Sequence, residues 1–318
     1  MLRRFVKRTE VTRALLCAGL LLSTAASIAE VIPVELRETE SGWALLRDGE
    51  PYLIRGAGGG GPLDQLAAAG ANSIRTWSTD DVGSILDEAH ALGMSVTVGI
   101  WLGHERHGFD YSDKTQVQEQ LEKARADVLR YRDHPALLLW AVGNEMEGYE
   151  SGDDPRIWNA VNDIAAMIKE LDPHHPTMTV TAELGGGRIE QVHQRTPAID
   201  IHGINSYGGA LSIAERLREA GGTKPYVLTE FGPVGQWEMP TTDWGAPYEQ
   251  TSTQKADFYG QAYRKAILEN PWYALGSYAF LWGHKMEATS TWYGMLLNDG
   301  SRVGSLDMMT ELWSGAAP

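Results

Sequence analysis

LLLWAVGNE, residues 137–145, decides how this chain is read. Leu137 to Val142 form an unbroken apolar run of the length and composition of a strand buried on both faces of a parallel sheet. Gly143-Asn144-Glu145 ends the run and leaves a carboxylate at its C-terminal end. A second stretch, YVLTEFG at residues 226–232, repeats the arrangement with Glu230. Folds that alternate strand and helix place their chemistry at the C-terminal ends of their parallel strands.

Outward from these two stretches, strand and helix signals alternate along the chain. Strands are expected at 52–55, 72–77, 95–101, 137–142, 177–181, 199–204, 226–229 and 275–282. Helices are expected at 63–69, 82–92, 115–131, 157–171, 211–219 and 253–269, with Asp80 capping the second and Gly70 and Gly93 closing the first two. Eight strands alternating with helices imply an α/β fold, and the count favours a closed (β/α)8 TIM barrel over an open sheet. Residues 31–46 are expected to add a short N-terminal strand or hairpin over the barrel floor.

The first 29 residues read as a signal peptide. Arg3, Arg4, Lys7, Arg8 and Arg13 precede an apolar stretch at 14–22, and Ser27-Ile28-Ala29 supplies a small-x-small cleavage pattern. The catalytic domain is then residues 30–318, and the protein is expected in the periplasm or outside the cell. The only cysteine, Cys17, lies in the leader, so the mature chain has no disulfide and no thiolate ligand. Removing the leader's net charge of +4 takes the formal charge from −15 to −19. Such an acidic surface argues against nucleic acid and anionic membranes as partners and suits a neutral substrate. Eleven Trp and twelve Tyr against five Phe favour half-wet surfaces such as sugar-binding clefts. A monomer is expected.

Glycoside hydrolysis needs a proton donor on the leaving oxygen and a carboxylate on the opposite face of the sugar. The fourth and seventh strands of a barrel end on opposite sides of its mouth, so Glu145 and Glu230 can face one another across a bound sugar. One glutamate alone could merely cap the following helix. Two in matching strand-end positions point to catalysis.

With these motifs the chain resembles the retaining β-glycosidases of glycoside hydrolase clan A. Gly143-Asn144-Glu145 matches the clan's acid/base motif, and Thr229-Glu230-Phe231-Gly232 its nucleophile motif. IHGINSY, residues 201–207, is similar both to family-two β-glycosidases and to fungal β-1,3-glucanosyltransferases. Tyr278 and Trp292-Tyr293-Gly294 lean toward glucan-active members. Family two's β-sandwich domains and the fungal enzymes' cysteines are not present, so the resemblance is to the clan.

The resemblance implies double displacement on a β-linked glycan, most simply a β-glucan, with transglycosylation as the alternative. It makes Glu145 the acid/base and Glu230 the nucleophile, at the retaining spacing of about 5–5.5 Å. Asn144 would bind the sugar's 2-hydroxyl, Arg75 would pair with Glu230, Tyr207 would orient it, and Trp282 would be a stacking floor under the sugar. Asn205 is a further substrate-binding candidate. Each has a plainer reading: Arg75 a structural ion pair, Tyr207 a turn residue, Trp282 a core residue.

After the third strand, Trp101 and His104 are candidates for sugar contacts. His104, His107 and Asp110 could also be read as metal ligands, but their spacing is not the helical His-Glu-x-x-His arrangement; neither metal nor cofactor is expected. Trp237, Trp244 and Trp272 could line subsites. The competing class is an oxidoreductase, because the glycines at 56–61 match a dinucleotide fingerprint between a strand and a helix. That reading leaves both glutamates unexplained; in a barrel the glycines would form a flexible first loop beside the cleft. A sugar-binding barrel without catalysis is the third class.

Overall fold

The computed structural model describes residues 31–147 and 152–316. The proposed leader lies outside them. Three short antiparallel strands come first: β1 (Val34–Thr39), β2 (Gly42–Arg47) and β3 (Glu50–Pro51). Eight parallel strands then close into a barrel: β4 (Ile54–Gly59), β5 (Ser73–Arg75), β6 (Ser95–Ile100), β7 (Leu137–Val142), β8 (Thr177–Ala182), β9 (Ile201–Asn205), β10 (Tyr226–Phe231) and β11 (Ala274–Trp282). Each is followed by a helix: α1 (Leu63–Ala68), α2 (Val82–Ala91), α3 (Lys114–Tyr131), α4 (Pro155–Leu171), α5 (Arg188–Gln194), α6 (Ile213–Glu219), α7 (Ser252–Tyr263) and α8 (Gly304–Ser314). The fold is a TIM barrel.

Every residue of β6, β7, β9, β10 and β11 is buried, and β7 accordingly reads as a continuous apolar run instead of an alternating one. The main core lies where helices meet strands, with Val96, Val98, Trp140 and Val142 packed among Ile157, Val161 and Ile164 of α4. A second cluster closes the other end. There Val34 and Leu45 of the N-terminal hairpin pack with Ile54, Leu138, Met178, Val227 and Leu275. Val34 N donates to the His174 carbonyl at 2.8 Å and Trp43 N to that of Trp272 at 2.9 Å, both just before barrel strands. The hairpin thus covers the floor and leaves the C-terminal rim open.

Local chemistry sets several helix starts. Asp113 accepts from Thr115 N and Gln116 N at the head of α3, Asp154 caps α4 with Pro155 in its first turn, and Thr251 and Gln254 form a capping box on α7.

The structure departs from expectation at three places. Gly56–Gly59 is not a loop, because these residues belong to the first barrel strand. A Cβ on Gly56 would stand 2.5 Å from the Ser73 carbonyl oxygen and 2.7 Å from the Tyr278 ring, so the glycine permits close strand packing. The strand-to-helix phosphate turn required by a dinucleotide site is therefore not formed by these residues. At α2 the capping position belongs to Asp81, not Asp80, and no side chain caps it. Finally, α5 and α8 were not anticipated, and the helix expected over 253–269 passes from α7 into a π-turn at Arg264–Leu268.

Candidate active site

The turn after β7 presents Glu145. Gly143 adopts φ +74° and Glu145 itself φ +50°. A left-handed non-glycine residue costs on the order of 1 kcal/mol. Backbone bonds on both sides hold the turn: Gly143 N donates to the Ile100 carbonyl and Glu145 N to that of Val180, each at 2.9 Å. The turn that carries the carboxyl group is thereby fixed between the ends of β6 and β8.

Glu230 is the penultimate residue of β10 and is held differently. Its Oε1 accepts from Arg75 Nη1 at 3.1 Å and from Trp77 Nε1 at 2.8 Å, and its Oε2 accepts from the Tyr207 hydroxyl at 2.9 Å. Burial, then the charge of Glu230, pushes the Tyr207 phenol well above its ordinary pKa, which keeps it a donor. Arg75, only 1% exposed, also donates to the Thr229 carbonyl at 2.8 Å and to Asn144 Oδ1 at 2.7 Å. One guanidinium therefore joins both strand-end motifs. The Trp77 ring lies under it, 5.1 Å from centroid to Cζ.

Asn205 completes the network. Its amide donates to Glu145 Oε1 at 2.8 Å and to Asn144 Oδ1 at 3.2 Å, and its oxygen accepts from Thr229 Oγ1 at 2.8 Å. The Asn144 oxygen thus accepts twice, from Arg75 and from Asn205. Burial raises the pKa of Glu145 above the usual carboxylate value, and the charge of Glu230 adds to the rise. Two carboxyl groups thus share one mouth in unequal surroundings, one held by three strong donors and one by a single amide.

The mouth is a cleft of about 1270 Å³. Trp77, Trp101, Trp237 and Phe280 supply aromatic wall around Glu145 and Glu230. Of the residues singled out from sequence, Arg75, Asn144, Glu145, Asn205, Tyr207 and Glu230 meet in one hydrogen-bonded group. Trp101 lies on the cleft wall, 43% exposed.

Two others are displaced. His104 is 2% exposed and lies behind Trp101, with ring centroids 5.0 Å apart, so it supports the wall without touching the cleft. Burial is the chief cause of its pKa falling to about 4, so the ring is neutral at ordinary pH. Trp282 is fully buried in the main core and forms no floor of the cleft. The strand register shifts between Phe280 and Trp282, and Phe280 takes the cleft-facing place instead. Trp272 sits at the barrel floor beside Trp43.

Sequence reading missed Trp77, whose indole contact to Glu230 is among the shortest in the site. The signal was present: Trp77 stands two residues after Arg75, at the rim of the same strand. Tyr278, Trp292 and Tyr293 are buried; Tyr278 hydrogen-bonds Ser73 and Thr97 inside the barrel, while Tyr293 packs edge-on behind the cleft residues Tyr207 and Phe280.

The model of the family "Glycosyl hydrolases family 2, TIM barrel domain" matches residues 77–260, more than half of the chain. Mannan endo-1,4-beta-mannosidase F of Aspergillus clavatus is 29% identical over 184 residues, covering 43% of this chain and 42% of that one. A beta-glucuronidase of Streptococcus agalactiae is 24% identical over 229 residues, covering 64% of this chain and 37% of that one. The chain thus spans less than half the length of these curated relatives. Among solved structures, the Ruminococcus gnavus beta-glucuronidase superposes with a TM-score of 0.69 at 15% identity, over 91% of this chain and 53% of that one. The Dictyoglomus thermophilum beta-D-glucuronidase gives 0.66 at 17% identity, over 89% and 54%. At such identities the structural likeness speaks to the fold.

Proposed function

This chain belongs to glycosyl hydrolase family 2, and from that premise we propose that it is a retaining β-glycosidase with Glu145 as acid/base and Glu230 as nucleophile. The observation that carries the assignment is the asymmetry of the two carboxyl groups. Arg75, Trp77 and Tyr207 all donate to Glu230, so three donors fix both of its carboxylate oxygens in place. Burial and the neighbouring charge favour the protonated form of Glu145.

In the first step ionised Glu230 attacks the anomeric carbon while Glu145 gives its proton to the departing glycosidic oxygen. A glycosyl ester on Glu230 forms and the C–O bond to the leaving group breaks. In the second step Glu145 takes a proton from water, whose oxygen attacks the anomeric carbon and releases Glu230. A sugar hydroxyl in place of water would give transglycosylation. Asn144 is positioned to hydrogen-bond the 2-hydroxyl of the reacting sugar.

The substrate is a β-linked glycoside. A β-glucan is the finer reading, and it rests on the resemblance of Tyr278 and Trp292-Tyr293-Gly294 to glucan-active members. The fungal relatives' name suggests a mannan instead, and the streptococcal relative's a glucuronide. The basic-apolar N-terminus supports export of the enzyme. Among the described residues, no helix is long and apolar enough to cross a membrane.

A panel of aryl β-glycosides and β-mannan, β-glucan and glucuronide substrates tests the reading, with Glu145→Gln and Glu230→Gln alongside. Turnover is expected to fall by several orders of magnitude in both variants, and a 2-fluoro glycoside to leave its mass on Glu230. Label on another residue, or a first-formed product of inverted configuration, would remove the proposed roles.

A further inference from the structure

The loop after β10 bears aromatic surface that the two chemical steps do not use. Trp237 lines the cleft at 62% exposure, its ring edge-on to Tyr207 with centroids 5.3 Å apart. Met239 then anchors the loop by packing on the cluster of Tyr207, Phe280, Leu281, Trp292 and Tyr293. Beyond it the chain forms an ordered hairpin. Tyr248 N donates to the Pro240 carbonyl at 2.9 Å and Thr242 N to that of Ala246 at 2.8 Å, and Thr241 pairs antiparallel with Pro247. Gly245, at φ +82°, donates to the Thr242 carbonyl at 2.9 Å and closes the tip.

Trp244 stands at that tip with 81% of its surface exposed. The bonds closing the turn come from the backbone and from Thr242 Oγ1, so the hairpin does not need the indole to hold its shape. This bare ring stands on an ordered support rooted in the wall of the cleft. An indole offers a flat apolar face at a wet boundary, which suits the C–H faces of a sugar while its hydroxyls remain hydrated.

Charge narrows the ligand. Glu238, Asp243 and Glu249 accompany the hairpin. The nearby Lys255 ammonium is committed to Glu249 and to the Thr291 carbonyl. A polyanion approaching this face meets net negative charge.

We propose that Trp237 and Trp244 form a stacking track that carries a neutral β-linked polysaccharide outward from the cleft along the hairpin. At about 3.3 Å per residue, the limb from Pro240 to Trp244 reaches as far as ~13 Å. The track rests on the glycosidase reading, and it makes the natural substrate a polymer, not a small glycoside.

The test uses the full chain carrying Glu230→Gln, with and without Trp244→Ala, in gels containing glucomannan, β-1,3-glucan or polygalacturonate. Sedimentation of both proteins is measured in parallel. Retardation by a neutral polymer, weakened about fivefold or more by Trp244→Ala as expected for one tryptophan contact worth ~1 kcal/mol, is the expected result, with none in polygalacturonate. In the otherwise unaltered chain, Trp244→Ala should lower the ratio of kcat/KM for polymer to that for an aryl glycoside, through KM. The track is overturned by equal retardation with and without Trp244, by preference for polygalacturonate, or by no retardation in any neutral polymer. A change from dimer to monomer on Trp244→Ala with unaltered retardation overturns it in favour of a contact between copies. Retardation that depends on Trp244 without turnover of any glycoside would keep the track and sink the glycosidase reading, whereas turnover of aryl glycosides without retardation would do the reverse.

Discussion

Asn205 donates to Glu145 at 2.8 Å while its own oxygen accepts from Thr229, so one side chain touches the proposed acid/base and the neighbour of the proposed nucleophile. The amide bond opposes the burial and like charge that raise the Glu145 pKa. Taking the donor away in Asn205→Ala should raise that pKa further. A general acid works while protonated, and its pKa sets the alkaline limb of kcat/KM. The expected result is an alkaline limb moved to higher pH with a maximum lowered about tenfold or more. A limb that moves to lower pH would contradict the arrangement.

Trp77→Phe isolates a contact of a different kind. The ring face beneath Arg75 is retained, but the N–H that bonds Glu230 Oε1 at 2.8 Å is lost. A hydrogen bond to a charged group is worth about 1.5–3 kcal/mol. If the bond positions the nucleophile for attack, kcat/KM should fall by roughly ten- to a hundredfold, mainly in kcat, under conditions where the variant remains folded. Loss confined to KM would mean that Trp77 serves substrate binding alone.

The barrel and its two acids were legible because a strand buried on both faces writes itself as an apolar run. Leu137–Val142 was bounded correctly on that signal. The glycines of β4 carry no side chain to pattern, so four strand residues read as loop. Trp282 was misplaced for a related reason: strict alternation puts Tyr278, Phe280 and Trp282 on one face, and the register shift after Phe280 breaks the alternation. The helix α8 followed the last expected strand across a long irregular stretch and was overlooked despite its apolar spacing. Contacts such as Arg75 to Asn144 join residues 69 apart, and local pattern carries no trace of such pairings.

The correction at Trp282 has a measurable consequence. A stacking floor and a core residue respond differently to Trp282→Phe. The side chain is fully buried among apolar neighbours, and its indole N–H has no hydrogen-bond partner among the described residues. The substitution should cost about 1–2 kcal/mol of stability from lost packing, read as a lowered denaturation midpoint, while KM for a small aryl glycoside stays within about twofold. A large rise in KM without loss of stability would restore it to the sugar site.

Glu147 offers a test of pH-dependent stability two residues beyond the proposed acid/base. Its carboxylate is buried and accepts from Ala182 N at 2.6 Å and from Arg188 Nε at 2.9 Å. Burial outweighs these bonds and lifts its pKa from 4.5 to about 7. Below the unfolded value, the group is protonated in both states and its contribution is fully present. Between the two values, the folded chain holds a proton that the unfolded chain has released, so stability falls as pH rises. Above about 7 both states are ionised and the loss is complete, on the order of 3 kcal/mol at 1.36 kcal/mol per unit. Glu147→Gln keeps an oxygen that can accept from Ala182 and Arg188 but cannot ionise. Denaturant midpoints measured from pH 4.5 to 8 should therefore show the parent chain losing stability relative to Glu147→Gln across that window. Two curves that stay parallel from pH 4.5 to 8 would mean that Glu147 does not titrate there.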